Sequence, residues 1–90
     1  MTRYSSDEIE QEIKDIWLAV LKLRDISPDG NFFDLGGESL GMIEMLFQVN
    51  QFYGIQIDPS NLFREPTLAG FSEIIGREYL AVFNSETGVL

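Results

Sequence analysis

The chain has 90 residues, 44% hydrophobic and 23% charged, and Leu, Ile, Val and Phe supply a third of it, which specifies one small globular core and excludes a disordered segment. Fifteen Asp and Glu against six Lys and Arg give a net charge of -9, so nucleic acid and anionic membrane surfaces are repelled and basic proteins are the expected partners. With neither Cys nor His, disulfides, thiolate nucleophiles, cysteine zinc sites and Ser-His-Asp catalysis are all removed.

Ser5 with Glu8 fits a capping box and opens a first helix that the spacing of Ile9, Ile13, Ile16, Trp17, Val20 and Leu23 carries to about Leu23. Trp17 lies in that stripe and is read as core. From Arg24 to Glu38 the helical period fails, and Pro28, Asp29, Gly30, Asn31, Gly36 and Gly37 are turn residues. Ile26, Phe32, Phe33 and Leu35 are too apolar for a loose loop, so they are expected to pin it to the core. Ser39 begins a second helix with Leu40, Ile43, Leu46, Phe47 and Val49, which stops at Gly54. Ile55, Gln56 and Ile57 alternate but have no partner strand, so they are an extended connector. Asp58 and Pro59 cap and start a one-turn helix through Leu62 and Phe63, because Pro66 follows. Thr67 caps a last helix with Leu68, Phe71, Ile74, Ile75, Tyr79 and Val82 on one side, ending near Phe83, with Asn84 to Leu90 a frayed tail. Tyr4, Tyr53 and Tyr79 are rim or core residues. The fold class is all-α, with three main helices, one short helix and a long first loop; residues 1–90 form a single domain, ordered over about 6–83.

Ser39 admits two readings from the residues alone. In one it is an N-cap, and Ser39→Ala costs about 0.5 to 2 kcal/mol. In the other it is a modification site, accessible after two glycines and placed where a helix end favours an attached phosphate. As a nucleophile it lacks help, since no His is present and Glu38 is a weak base, so any chemistry there must come from another protein.

The segment "NFFDLGGESLGMIEML" resembles the phosphopantetheine attachment motif of acyl and peptidyl carrier proteins, whose core reads Leu-Gly-Gly-x-Ser-Leu. The resemblance extends through "IKDIWLAVL", "FYGIQID" and "LFREPTLAGF", leaving only about the first five and last seven residues outside. It implies a four-helix carrier-protein bundle with 4′-phosphopantetheine attached covalently to Ser39, within a motif of Asp34, Leu35, Gly36, Gly37, Glu38 and Leu40. The paired glycines and "PTLAGF" are closer to carriers of peptide synthetases than to fatty-acid carriers, whereas Glu38 departs from the usual His and Asp and leaves aminoacyl or polyketide-type cargo open. The implied role is to hold an aminoacyl, peptidyl or acyl chain as a thioester in nonribosomal peptide or hybrid polyketide biosynthesis, without catalysis by the carrier. The implied partners are a phosphopantetheinyl transferase, an adenylation or acyl-loading enzyme, and condensation, ketosynthase, tailoring or thioesterase enzymes downstream. No nucleic acid or membrane is expected, and the protein is expected to be a monomer. Met1 and the short C-terminal remainder suggest a freestanding carrier, and a domain excised from a synthetase would look much the same.

Rival readings are an unmodified helical adaptor and a degenerate EF-hand. Asp25, Ser27, Asp29, Gly30 and Phe32 occupy EF-hand positions acceptably, but Gly36 stands where the closing Glu belongs and Glu38 is two residues late, so no metal is expected. The longest apolar run, Trp17 to Leu21, is far below the ~18 residues of a membrane span, and Met1 to Asp7 lacks a signal-peptide apolar stretch; a cytoplasmic protein is expected. On a helical projection from Ser39 at about 100° per residue, Gly41, Glu44, Gln48 and Gln51 form one polar strip roughly 80° wide. Leu40 and Phe47 border it on one side and Met45 and Phe52 on the other, so exposed Leu40, Glu44, Met45 and Gln48 are the predicted partner-docking surface. Charge agrees, because no base lies between Arg24 and Arg64.

Overall fold

The computed structural model describes residues 5–88, with side chains described through residue 82. It contains four helices, α1 (Ser6–Leu21), α2 (Ser39–Tyr53), α3 (Ser60–Arg64) and α4 (Leu68–Gly88), and no strand among the described residues. The capping box forms as the sequence requires: Glu8 N–H donates to Ser5 Oγ, and Ser5 N–H donates to Glu8 Oε1. α1 ends two residues before Leu23, because Lys22 takes a left-handed conformation and its N–H returns to Leu18 O. That turn sends Leu23 back against the core.

α1 packs on both α2 and α4, while α3 lies against α4. Trp17, Ile13, Phe71, Ile75, Leu68 and Val49 meet in the centre, and Trp17 sits 5.9 Å from Phe71 ring to ring. α2 stops at Gly54, whose φ of 67° is the left-handed position a glycine takes without steric cost. The connector then alternates as its sequence predicts, with Ile55 and Ile57 buried and Gln56 exposed. Asn50 Oδ1 accepts from Ile57 N–H and holds that segment against the end of α2. Thr67 Oγ1 accepts from Gly70 N–H, so the cap expected for the last helix forms. At α3 the expected cap is corrected, because Pro59 and not Asp58 is the N-cap, the helix starts at Ser60, and Asp58 Oδ1 instead accepts from Ser60 N–H in the turn that leads in. The last helix runs to Gly88, past the end expected near Phe83; Tyr4, Val89 and Leu90 lie outside the described residues. Tyr53 is buried and Tyr79 half-buried, with the Tyr53 hydroxyl donating to Glu12 Oε1 at 2.8 Å.

Candidate functional site

The loop ahead of Ser39 is fastened, not slack. Phe32 N–H donates to Pro66 O at 2.8 Å, Leu68 N–H to Gly30 O at 3.0 Å and Ala69 N–H to Pro28 O at 2.8 Å, which ties the loop along the start of α4. Ile26 and Phe32 are buried, and Phe33 and Leu35 are partly buried against the core. Asn31 Oδ1 accepts from the amides of Phe33 and Asp34, closing a tight turn that ends at Gly36.

The two glycines have different reasons for being glycine. Gly36 has a φ of 103°, a conformation that side chains oppose. Gly37 passes over the face of Phe32, where an added Cβ would lie 2.3 Å from two ring carbons and 2.7 Å from Phe32 O. Phe32 in turn meets Trp17 edge-on at 5.0 Å. A chain of contacts thus runs from the bundle centre through Trp17, Phe32 and Gly37 to Ser39, so the position of Ser39 is set by the core.

Ser39 is exposed and is the first residue of α2. Glu38, not Ser39, is the N-cap: its backbone is extended, its carbonyl accepts from Met42 N–H at 2.7 Å, and no side chain caps the helix. The capping role read for Ser39 from sequence is therefore corrected; its hydroxyl lies one residue too far along to reach the first-turn amides in the usual way. That leaves a hydroxyl unencumbered at the positive end of a 15-residue helix, beside backbone that carries no side-chain bulk, and these are features that suit a covalently attached phosphodiester. Asp34 and Glu38 are exposed, and Leu35 is half-buried.

The surface beyond Ser39 differs from the sequence expectation at one residue. Met45 is fully buried and cannot contribute to a docking surface, whereas Leu40 and Glu44 are exposed and Gln48 is half-buried. The buried residues Met45, Leu46, Val49 and Tyr53 centre the core face of α2 roughly 50° away from the direction opposite the polar strip. That rotation draws Met45 inward and turns Leu40, Ile43 and Phe47 outward, at 81%, 59% and 60% exposure. Ile43, which the sequence reading lists only among the apolar residues of the helix, joins the surface; its i+4 spacing from Ser39 places both on one face. Phe63 of α3, 60% exposed, stacks on Phe33 at 5.2 Å and 9°, an aromatic pair across loop and helix that periodicity does not reveal.

The EF-hand pattern does not converge in space. Asp25 pairs with Lys14 of α1 at 2.7 Å, and this hydrogen-bonded ion pair, followed by the Ile26 amide, holds the Asp25 carboxyl below its usual value. Ser27 Oγ donates to Asp29 Oδ1, and among the described residues no three acidic side chains gather as a metal site would need. Among the described residues no helix is long and apolar enough to cross a membrane.

Residues 11–75 match the family described as "Phosphopantetheine attachment site". A segment of surfactin synthase subunit 1 from Bacillus subtilis (strain 168) is 38% identical over 66 residues, 73% of this chain and 2% of that protein. The chain therefore spans a small fraction of the length of such relatives. Its fold resembles a peptidyl carrier protein solved with the phosphopantetheine transferase Sfp and coenzyme A, at TM-score 0.74 and 26% identity over 86% of this chain and 95% of that one. It also resembles a non-covalent extended docking domain complex of the Pax NRPS, at TM-score 0.79 and 30% identity over 97% of this chain and 86% of that one. A matched motif, a four-helix architecture and an unencumbered serine at the head of α2 converge on one conclusion: the chain belongs to the phosphopantetheine attachment site family, whose prosthetic group is covalent 4′-phosphopantetheine.

Proposed function

We infer that residues 1–90 are a single carrier domain of thiotemplate biosynthesis, modified on Ser39, which holds aminoacyl, peptidyl or acyl intermediates for nonribosomal peptide or hybrid polyketide assembly in the cytoplasm. The observation that carries this reading is Ser39 itself, exposed and without a capping role at the start of α2 on a turn built from two glycines. The attached arm supplies a terminal thiol that carries its cargo as a thioester. The chain's own residues present the hydroxyl, keep the approach to it clear and orient it through Phe32 and Gly37. They do not activate it, since neither His nor Cys is present, so the base belongs to a phosphopantetheinyl transferase. An adenylation or acyl-loading enzyme, and condensation, ketosynthase, tailoring or thioesterase enzymes, are the further partners.

Leu40, Glu44 and Gln48, joined by Ile43 and Phe47, form the docking surface proposed for these enzymes. An exposed apolar patch with no base between Arg24 and Arg64 suits a partner with an apolar centre and a basic rim. Incubation with a broad-specificity transferase, coenzyme A and magnesium is expected to add one phosphopantetheinyl mass, abolished by Ser39→Ala. Glu44→Lys and Leu40→Ser are expected to slow that modification, the first mainly at low salt. Addition at Ser5, Ser6, Ser27, Ser60, Ser72 or Ser85, or none at all, overturns the assignment.

A further inference from the structure

α1 and α4 run in opposite directions: Ile9 faces Gly76, where a Cβ would lie 3.6 Å from Ile9 Cδ1, while Lys14 and Leu68 line a common cleft nearer the loop. Between the Ile9 end of α1 and α4 opens a cleft of about 270 Å³. Ile9, Ala69, Gly76 and Leu80 line it together with polar residues, and Ala69 and Gly76 put little side chain into it. Ser72 lines the same cleft, is 4% exposed, and its hydroxyl has no hydrogen-bond partner. A buried hydroxyl is normally satisfied, as that of Tyr53 is by Glu12. Three charged residues rim the cleft, Glu10, Glu73 and Arg77, and among the described residues none of them is in an ion pair. Glu73 and Arg77 are one helical turn apart on α4, so negative and positive charge follow each other along the rim.

We propose that the α1–α4 cleft docks a helical segment of a partner polypeptide that carries an Arg or Lys and, one turn on, an Asp or Glu. The basic side chain lays its apolar stem over Ile9 and its head between the carboxylates of Glu10 and Glu73, and Ser72 Oγ, closed to solvent in the free chain, turns outward to accept from it. The acid of the segment pairs with Arg77, and the small residues of α4 let the segment's backbone approach. A site made of a buried acceptor and alternating rim charge discriminates by charge order, which a generic acidic surface does not.

The test uses the full chain, labelled with nitrogen-15, and two blocked 14-residue Ala/Leu helical peptides. One has Arg followed four residues later by Glu, and the other has Gln at both places. Saturable amide shifts centred on Glu10, Ser72 and Gly76 are expected with the first peptide, and binding roughly tenfold weaker or absent with the second. Ser72→Ala and Glu73→Gln are each expected to weaken the first peptide roughly five- to tenfold. Ser72→Ala is expected to melt no lower than the parent, since it removes an unsatisfied buried hydroxyl. Shifts spread over the acidic surface, equal binding of both peptides, or insensitivity to both variants overturns the proposal. A lower melting temperature of Ser72→Ala with unchanged binding shows the hydroxyl to be structural and also overturns it. Concentration-dependent shifts at these residues without peptide assign the cleft to a second copy of the chain instead.

Discussion

On one side of Ser39 the loop from Arg24 to Glu38 buries Ile26 and Phe32 to 4% and 0% exposure; on the other, regular helix leaves Leu40, Ile43 and Phe47 mostly in solvent. Turn-rich composition would place the mobility in the loop and the core in the helix. The opposite distribution holds because the loop's amides are satisfied at the head of α4 and its aromatic anchor reaches Trp17, whereas a helix of 15 residues presents more apolar circumference than its neighbours cover. The loop's apolar residues position the serine, and those of the helix remain available to whatever approaches it.

The largest effect that separates the two flanks is cavity formation. Phe32→Ala is expected to cost about 3 to 5 kcal/mol and Met45→Ala about 2 to 5, by urea or thermal unfolding. Phe47→Ser and Leu40→Ser are expected to stay within about 0.5 kcal/mol of the parent. A loss of 2 kcal/mol or more in Phe47→Ser would place that ring in the core and erase the contrast.

Next in size are the glycines. Gly37→Ala is expected to cost about 1 to 3 kcal/mol, because the new methyl must displace the Phe32 ring or the Phe32 carbonyl. Gly36→Ala, with open space around its Cβ, is expected to cost only the backbone strain of about 1 to 2 kcal/mol. The double variant Gly37→Ala with Phe32→Leu sharpens the point: relief by the smaller side chain identifies the ring contact as the cause, and simple additivity assigns it to the Phe32 carbonyl.

A smaller effect is expected at the serine. Ser39→Ala should change stability by less than about 0.5 kcal/mol, because no cap is lost. A loss near 1 kcal/mol or above in apo protein would restore the capping role that sequence suggested.

The smallest effect is the acid response of the loop and α3. Asp25 is held below 3.8 by Lys14, and Asp58 is held below 3.8 by the backbone amide and hydroxyl of Ser60. Carboxyls depressed in the folded chain stabilise it fully above their unfolded value, and that contribution is lost as pH falls through the lower folded value. Both groups are exposed, so a shallow decline below about pH 4 is expected in the parent. The double variant Asp25→Asn with Asp58→Asn should flatten it, and an unchanged profile would assign the acid response to other carboxyls.

Several features were legible because their causes are local. The capping box at Ser5 and Glu8, the glycine stop at Gly54 and the Thr67 cap all involve residues within a few positions of each other. The end of α1 was not, since Lys22 and Leu23 are good helix formers and only the turn that returns Leu23 to the core stops the helix there. The fate of Met45 was not legible either, because the apolar arc of α2 is broad enough to accept more than one core-facing centre.

The amino-acid order by itself determined the four-helix plan, the anchors of the first loop and the serine with its two glycines, because periodicity, turn chemistry and motif spacing are properties of neighbouring residues. The rotation of α2 about its axis, the stacking of Phe63 on Phe33 and the orphan hydroxyl of Ser72 were decided only in the folded bundle. Each depends on residues distant in sequence competing for the same interior volume, and that competition is settled by packing density, not by local preference.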